Sequence, residues 1–298
     1  MDDARPVPRL KWHKLRYRAD DPPFQRHNLA AALAAGVPCE VDLRFTADHH
    51  ALCIHDAVLD HETTVTGPVA SARRADIEAG FQRANRGHPL HTGPLFLDEV
   101  VAAVQSHGRT HGPIGAGLVQ LDVKTPVAEL HPEALARFGD LLGGDAPAFI
   151  ASGYQWELIE RLTAAAPGLR AGFDPLGLYR QPQSMPAAQL RALADRTRAE
   201  APGADIYYLE ANLVLAGLDR GVDLVELVTG GRPGVLVDAW TVDPTRPRLP
   251  AVLARLIGAG VGQITTNDPA TLGPLVTAAT LPPRSGRWRR SGFGRRGR

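Results

Sequence analysis

The chain has few cysteines and no long apolar segment, and both shortages narrow the classes of protein to which it can belong. Two cysteines in 298 residues do not make the disulfide framework of a small secreted protein. No run of eighteen apolar residues occurs, so no transmembrane segment is predicted. The polar stretch 1–9 does not resemble a signal peptide. We therefore expect a cytoplasmic protein with reduced thiols.

The body of the sequence lacks both a glycine-rich phosphate loop and a flexible linker. No G-x-G-x-x-G follows the first predicted strand, and G-x-x-x-x-G-K-[ST] is absent, which argues against a doubly wound nucleotide-binding sheet. No stretch rich in Pro, Gly and Ser divides the chain before its last sixteen residues. We predict a single domain over residues 1–282 and a tail over 283–298.

The tail contains no acidic residue. The formal net charge of the chain is +1, but residues 283–298 hold seven arginines, which leaves the body at about −6. Glycine and serine between the arginines predict a disordered segment. Its charge suits contact with an anionic surface, whereas two aromatic residues, Trp288 and Phe293, are too few to predict specific binding to nucleic acid. The sequence predicts no oligomeric state.

Strand-like and helix-like segments alternate along the body. The predicted core strands are 10–15, 40–43, 117–123, 148–152, 169–172, 206–209, 234–239 and 263–266. The predicted helices are 30–36, 97–106, 133–142, 156–165, 187–200, 222–228, 249–258 and 270–279. Eight strands alternating with helices over about 280 residues indicate an α/β fold, the (β/α)8 TIM barrel.

Two acids separated by one residue stand in the second predicted strand. Glu40 and Asp42 share one face, because side chains two apart on a strand point the same way. A two-residue turn at Asp48-His49 would fold the chain back and place His55 directly opposite Asp42. Two carboxylates so close repel each other, and a divalent cation would turn that repulsion into attraction.

Polar residues also end other predicted strands, where a barrel carries its chemistry. His13 and Lys14 end the first strand, Asp122 and Lys124 the third, and Trp240 a late one. With Glu40 and Asp42, Asp122 completes a set of three carboxylates. Such oxygen ligands suit Ca²⁺ or Mg²⁺ rather than a structural Zn²⁺ site.

A divalent cation beside lysine side chains predicts a site for a phosphate ester. The cation, with Lys14 and Lys124, would neutralise the negative charge that builds up on phosphorus oxygens during cleavage. His13 and His55 would divide the roles of general base and general acid, because imidazole titrates near neutral pH. Phosphodiester cleavage needs both roles, one for the attacking oxygen and one for the departing alkoxide.

In this order, the motifs resemble those of the glycerophosphodiester phosphodiesterases. The similarity is collinear over residues 10–275 and rests on His13-Lys14, Glu40-Val41-Asp42-Leu43, Thr46-Ala47-Asp48-His49, His55-Asp56, Glu62-Thr63-Thr64, Leu95 to Val100, Asp122-Val123-Lys124, Ser152-Gly153-Tyr154, Trp240-Thr241-Val242-Asp243 and Gly260 to Pro269.

The resemblance implies a TIM-like barrel that hydrolyses a glycerophosphodiester to sn-glycerol 3-phosphate and an alcohol. It implies one divalent cation, Ca²⁺ or Mg²⁺, bound by the three acids Glu40, Asp42 and Asp122. His13 and His55 match the catalytic positions of the family, and Lys14 and Lys124 match residues that hold the phosphate. Trp240 would line the pocket for the glycerol or alcohol group, or would pack at the top of the barrel.

The sequence departs from the family pattern at three places. Lysine stands at position 14 instead of arginine, which exchanges a bidentate phosphate contact for a point charge. Asp122 replaces glutamate and is shorter by one methylene group. The P-E-N-T element has no clear counterpart around residues 23–28.

Two alternatives stay open, the first from the likeness of Asp122-Val123-Lys124 to the D-x-K of sphingomyelinase D type lipases and the second from the substitutions at positions 14 and 122. A phospholipase D type enzyme, similar to sphingomyelinase D, would let a substrate hydroxyl attack the phosphate and would release a cyclic phosphate. A barrel that binds a phosphorylated ligand without turnover is the second alternative, from a different functional class.

Overall fold

The computed structural model describes residues 7–280, apart from 86, 113, 114 and 116. Within that part of the chain, eight parallel strands form a closed barrel and a ninth strand pairs antiparallel with the second. The strands are β1 (Arg9–Trp12), β2 (Cys39–Phe45), β3 (Ala51–Cys53), β4 (Val119–Val123), β5 (Phe149–Ser152), β6 (Arg170–Phe173), β7 (Ile206–Glu210), β8 (Leu236–Trp240) and β9 (Gln263–Thr266). The predicted (β/α)8 barrel is confirmed.

The first strand closes the ring. β1 pairs with β9 over four residues, from Arg9 opposite Gln263 to Trp12 opposite Thr266. On its other side β1 meets β2 through the pair of Trp12 and Cys39. The carboxyl ends of all eight parallel strands therefore lie at one mouth of the barrel.

Helices cover the outside of the barrel. They are α1 (Arg26–Ala35), α2 (Arg74–Glu78), α3 (Leu97–His111), α4 (Pro132–Leu142), α5 (Trp156–Ala165), α6 (Ala187–Glu200), α7 (Ala211–Asp219), α8 (Leu224–Thr229), α9 (Leu249–Gly258) and α10 (Pro269–Thr280). Helix α1 ends at Gly36, whose φ of 62° is the left-handed conformation in which glycine costs least.

The sequence did not predict helix α7, which follows β7 without a connecting loop. Most of its residues are buried, including the run from Leu213 to Gly217. A short apolar run that continues directly from a strand does not distinguish a helix from a longer strand, so the sequence alone did not indicate α7.

Apolar side chains fill the layer between strands and helices, whereas the middle of the barrel is polar. In β2, Cys39, Val41 and Leu43 belong to the outer apolar core, so Glu40 and Asp42 point into the barrel. The interiors of such barrels are usually filled by Val, Ile and Leu. Here buried polar side chains take much of that space, namely Lys11, Glu40, Gln120, Asp238, Gln263 and Thr265.

The predicted register of the β2–β3 hairpin is wrong by one residue. The loop has three residues instead of two, because the Thr46 N–H donates to the His50 carbonyl at 2.9 Å and His49 adopts a φ of 67°. Leu43 therefore faces Cys53, and the Ile54 N–H donates to the Asp42 carbonyl at 3.0 Å. His55 lies just beyond the paired residues instead of directly opposite Asp42.

The first strand is shorter than predicted. β1 ends at Trp12, and the segment His13–Leu15 forms a tight turn. Lys14 and Leu15 have φ values of 53° and 55°, which no strand accommodates. His13 and Lys14 consequently lie on a tight turn at the mouth of the barrel.

The two cysteines, Cys39 and Cys53, are buried and unbonded. None of the helices in the described part of the chain has the length and apolar character needed to cross a bilayer. The basic tail over 283–298 lies outside the described residues, and the cytoplasmic location stays a prediction.

Candidate active site

A polar cavity of about 160 Å³ opens at the mouth of the barrel. Side chains from the ends of most strands line it, which is where a barrel enzyme binds its substrate. Seven of the eight predicted site residues line this cavity, namely His13, Lys14, Glu40, His55, Asp122, Lys124 and Trp240. Asp42, the eighth, lies directly beside them and is fully buried.

The three acids converge as the sequence predicts. Asp42 and Asp122 are register partners on the neighbouring strands β2 and β4. One carboxylate oxygen from each of Glu40, Asp42 and Asp122 lies within 4.8 Å of the others. Both oxygens of Asp42 are buried and accept no hydrogen bond. An oxygen set of this kind fits a hard divalent cation, because three carboxylates this close repel one another and an ion between them would turn that repulsion into attraction.

Two lysines stand beside these acids. The Lys14 Nζ lies 3.5 Å from one oxygen of Asp42, and the Lys124 Nζ lies 3.2 Å from the other. Lys124 also contacts Asp122. Burial alone would raise the pKa of Asp42, but the ammonium groups of Lys124 and Lys14 lower that pKa below its ordinary value. The carboxylate of Asp42 is therefore held ionised.

His13 is fixed by a chain of hydrogen bonds from β9. Its Nδ1 lies 2.7 Å from the Asn267 Oδ1, and the Asn267 side-chain amide donates to Asp243 at 3.0 Å. Because a carbonyl oxygen only accepts, the His13 Nδ1 carries the hydrogen. The other ring nitrogen, Nε2, faces the Glu40 Oε1 at 3.6 Å. Asn267 and Asp243 thus set the tautomer and orientation of this imidazole.

His55 is fixed in a comparable way by its neighbour in sequence. Its Nδ1 donates to the Asp56 Oδ1 at 2.9 Å, and His61 bonds to the other oxygen of Asp56 at 2.8 Å. These two hydrogen bonds lower the pKa of Asp56. The Glu62 carboxylate accepts from the backbone N–H of His55 at 3.1 Å, which holds the loop after β3 in place. The carboxylate of Asp56 orients His55 much as His13 is oriented by Asn267.

Aromatic side chains form part of the cavity wall. Trp240 lies at the end of β8, and Tyr208 lies in β7. Tyr154 follows β5, and the Lys124 Nζ lies 5.2 Å from the centre of its ring. These three rings, the aromatic wall, offer apolar contact surface beside the charged groups of the cavity.

The structure adds residues that the sequence did not single out. Ser152 donates to Asp122 at 3.0 Å and accepts from Gln120 at 2.8 Å. Lys11 and Asp174 also line the cavity. Lys11 lies in β1, two residues before His13, and its side chain points into the barrel. Because a lysine is rarely fully buried, the sequence pattern did not predict this position.

A second group of possible ligands lies elsewhere, on His49, His131 and Glu133. The two imidazole rings are stacked 4.3 Å apart at an angle of 12°. The lone pairs of parallel stacked rings lie in separate planes and do not converge on one ion. His131 also accepts a hydrogen bond from the Glu133 N–H, so this group is an ordinary surface cluster that caps helix α4.

The family of the chain follows from a comparison with protein-family models. The model of the glycerophosphoryl diester phosphodiesterase family matches residues 27–271, which is most of the sequence. The chain belongs to the glycerophosphoryl diester phosphodiesterase family. This membership confirms the resemblance and the prediction of a phosphodiesterase enzyme. A comparison with curated protein sequences gives no match.

Solved structures of the family share the fold. A protein from Agrobacterium tumefaciens assigned as a glycerophosphoryl diester phosphodiesterase has a TM-score of 0.66 and 18% identity, covering 92% of this chain and 98% of its own. One from Silicibacter pomeroyi has a TM-score of 0.65 and 21% identity, and the match covers 92% of this chain and 95% of its own. A phosphodiesterase from Oleispira antarctica, solved with the product sn-glycerol-3-phosphate, has a TM-score of 0.61 and 15% identity. The match covers 91% of this chain and 97% of its own.

The family match begins after the first strand. His13 and Lys14 lie before residue 27, outside the matched segment. In this phosphodiesterase the pairing of β1 with both β9 and β2 carries them to the cavity. The fold thus brings these two residues to the site independently of the family match.

Asp174 gives this phosphodiesterase a pH-dependent cost in stability. The side chain follows β6 and is 8% exposed, and its Oδ1 accepts from the Leu176 N–H at 2.8 Å. Burial, followed by the negative charge of Asp122, raises the pKa of Asp174 well above its ordinary value. Over a range of pH above the ordinary carboxyl pKa, the folded protein therefore keeps a proton that the unfolded chain has released.

We expect Asp174→Asn to stabilise the metal-stripped protein at pH 7–8 by about 3 °C or more and to have no effect near pH 4. A carboxyl group whose pKa is raised by folding stabilises the folded state fully when the pH is below its unfolded pKa of about 3.9. This stabilisation is lost as the pH rises towards the pKa in the folded protein. Asparagine avoids this loss and still accepts from Leu176. Thermal unfolding from pH 4 to pH 8 measures the difference, with Asp195→Asn on the exposed face of α6 as the control. A gain independent of pH would contradict the assignment.

Proposed function

We propose that the protein hydrolyses glycerophosphodiesters to sn-glycerol 3-phosphate and an alcohol, with one divalent cation, Ca²⁺ or Mg²⁺. The observation that carries this proposal is the convergence of two oriented imidazoles with three acids at one mouth of the barrel. His13 and His55 line the same cavity as Glu40 and Asp122. The oxygen atoms of the acids lie within coordinating distance of one shared ion.

The acids Glu40, Asp42 and Asp122 would hold the cation. When bound, the cation would supply Lewis-acid stabilisation to the phosphoryl oxygens and the attacking or leaving oxygen. Asp42 is central to this role because it is fully buried and lies directly opposite Asp122 on the neighbouring strand. Asp122 is one methylene group shorter than the glutamate of the family pattern, and Ser152 donates to one of its oxygens at 3.0 Å.

The two histidines would move protons at their Nε2 atoms. In each ring the Nδ1 hydrogen is committed, to Asn267 in His13 and to Asp56 in His55. Only the Nε2 of each ring is left to exchange a proton in the cavity. One imidazole would take a proton from the attacking oxygen, and the other would give a proton to the departing alkoxide.

Lys14 and Lys124 would hold the phosphate. In the structure both ammonium groups contact Asp42, at 3.5 and 3.2 Å. Burial opposes the charge on Lys124, but Asp122 and Asp42 raise its pKa above the ordinary value, so the side chain stays cationic. The aromatic wall, with Trp240, would bind the glycerol or alcohol group by apolar contact.

The test is phosphorus NMR of the products formed from glycerophosphocholine and glycerophosphoethanolamine with Ca²⁺ or Mg²⁺. We expect the open monoester sn-glycerol 3-phosphate, and we expect an excess of EDTA to abolish its formation. A cyclic phosphate would instead show the phospholipase D type of reaction. No turnover of either substrate with either ion would contradict the proposed function.

A further inference from the structure

Lys11 is a buried cation that the proposed reaction does not use. Its side chain is 1% exposed, in the interior of the barrel and directly below the acids of the cavity. Burial of an isolated ammonium group is strongly unfavourable, so a lysine in this place needs partners. The family pattern read from the sequence assigns it no role.

The ammonium group of Lys11 is fully surrounded by acceptors. It lies 3.2 Å from the Glu40 Oε2 and 3.4 Å from the Asp238 Oδ2, and it donates to the Gln120 Oε1. The ring of Tyr208 completes the environment at 4.4 Å from its centre. Although burial would lower the pKa of Lys11, the charges of Asp238 and Glu40 raise it, so the group stays charged.

Asp238 is itself held from the side of β9. Its carboxylate accepts from the Gln263 side-chain amide at 2.6 Å and from the Thr265 hydroxyl at 2.7 Å. These bonds anchor the carboxylate away from the cavity. Lys11 therefore links the anchored carboxylate of Asp238 with that of Glu40. We call Lys11, Glu40, Gln120 and Asp238 the Lys11 network.

The contact with Lys11 limits what Glu40 offers to a cation. One oxygen of Glu40, Oε2, faces Lys11 at 3.2 Å, whereas the other, Oε1, faces the His13 Nε2 at 3.6 Å. Glu40 is thus prepared to bind a cation through one oxygen rather than two.

Lys11 also changes the charge of the site. The four carboxylates of Glu40, Asp42, Asp122 and Asp238 face three ammonium groups, on Lys11, Lys14 and Lys124. The net charge of these seven groups is −1. A bound divalent cation would change it to +1, and a phosphodiester monoanion would then bring it to zero. Without Lys11 the cation-loaded site would be neutral and would attract the substrate less.

We propose that Lys11 weakens the binding of the divalent cation to the acidic site, so that the cation and the phosphodiester anion favour each other's binding. The inference rests on the proposed function, because it concerns the same cation. Coupling of this kind is reciprocal by thermodynamic necessity. Lys11 acts through Glu40 and is a positioning residue.

Calorimetric titration of the metal-stripped protein with CaCl₂ and MgCl₂ tests the proposal. We expect Lys11→Met to bind Ca²⁺ about tenfold more tightly than the unaltered protein, because one positive charge is removed and the Glu40 Oε2 is released. We also expect the variant to bind sn-glycerol 3-phosphate more weakly in saturating Ca²⁺. Unchanged or weaker Ca²⁺ binding by a variant that unfolds cooperatively would overturn the role of Lys11.

Two further variants keep the test decisive. Thr265→Val removes a hydrogen bond to Asp238 without changing the charge, and its Ca²⁺ affinity should stay within about twofold. A change as large as that of Lys11→Met would show that any disturbance of the network has this effect and would overturn the proposal.

If Lys11→Met does not fold, Asp238→Asn tests how the charge of the Lys11 network affects Ca²⁺ binding. It removes one negative charge and leaves Lys11 with Glu40 as its one carboxylate partner in the network, so Ca²⁺ should bind at least threefold more weakly. Equal affinity would overturn the proposal. Failure of the unaltered protein to bind either ion would contradict the proposed function itself, whereas normal binding with no effect of these variants contradicts only the role of Lys11.

Discussion

Replacement of His55 by alanine is expected to lower kcat for glycerophosphocholine by roughly 10²- to 10⁴-fold, with a much smaller change in KM. His55 lies in the cavity, and its Nδ1 donates to Asp56 at 2.9 Å, so its Nε2 is the nitrogen left for proton transfer. Alanine removes that proton carrier but leaves the three acids and both lysines in place. The rate of product formation under saturating Ca²⁺ measures the effect.

His61 provides a matched control for this variant. It bonds to the same carboxylate of Asp56, at 2.8 Å, but it does not line the cavity. His61→Ala should therefore keep kcat within about threefold of the unaltered protein. If His55→Ala retained a comparable rate, the assignment of His55 to proton transfer would be wrong.

Asp42→Asn is expected to abolish measurable Ca²⁺ binding and to lower activity by about 10³-fold or more. The substitution keeps the shape of the side chain but removes the negative charge. Asp42 is 0% exposed, and it contacts the ammonium groups of both Lys14 and Lys124. The neutral amide leaves these partly buried ammonium groups without their shared partner, so the metal-stripped variant should also unfold at a lower temperature.

Calorimetry with CaCl₂ and the rate of product formation measure the two expected losses. Asp205→Asn is the control, because Asp205 pairs with Arg170 at 3.2 Å where β6 and β7 begin, at the end of the barrel away from the cavity. This control should bind Ca²⁺ and turn over substrate as the unaltered protein does. Ca²⁺ binding by Asp42→Asn with unaltered affinity would refute the ligand assignment.

The sequence predicted the barrel and its acids because both depend on short-range periodicity. Side chains alternate along a strand, so Glu40 and Asp42 had to share a face once β2 was identified. The carboxyl ends of parallel strands meet at one mouth, which brings Asp122 to the same place. Helices α5, α6 and α9 begin and end as predicted, because proline or glycine follows each of them within three residues.

The details that the sequence did not predict depend on backbone conformation and on distant contacts. The left-handed residue His49 adds one residue to the hairpin loop and shifts its register, although asparagine, aspartate or glycine would be the usual signal for such a turn. The turn at Lys14 ends β1 early for the same reason. The orientation of His13 depends on Asn267 and Asp243, more than 200 residues away in the sequence.

The role of Lys11 was hidden for a different reason. A lysine inside a strand usually marks an exposed face, and its burial is supported by Glu40, Gln120 and Asp238 from three other strands. Local pattern does not reveal such a partnership, because it depends on the closure of the barrel. The polar interior is thus a property that becomes visible only in three dimensions.

The most direct test of the account is an anomalous difference map from crystals soaked with Mn²⁺ and sn-glycerol 3-phosphate. We predict one strong peak between the carboxylates of Glu40, Asp42 and Asp122, with the phosphate beside it and the Nε2 atoms of His13 and His55 on either side. A map without a peak among these acids, or with the ion bound at another group such as His49, His131 and Glu133, would contradict the account.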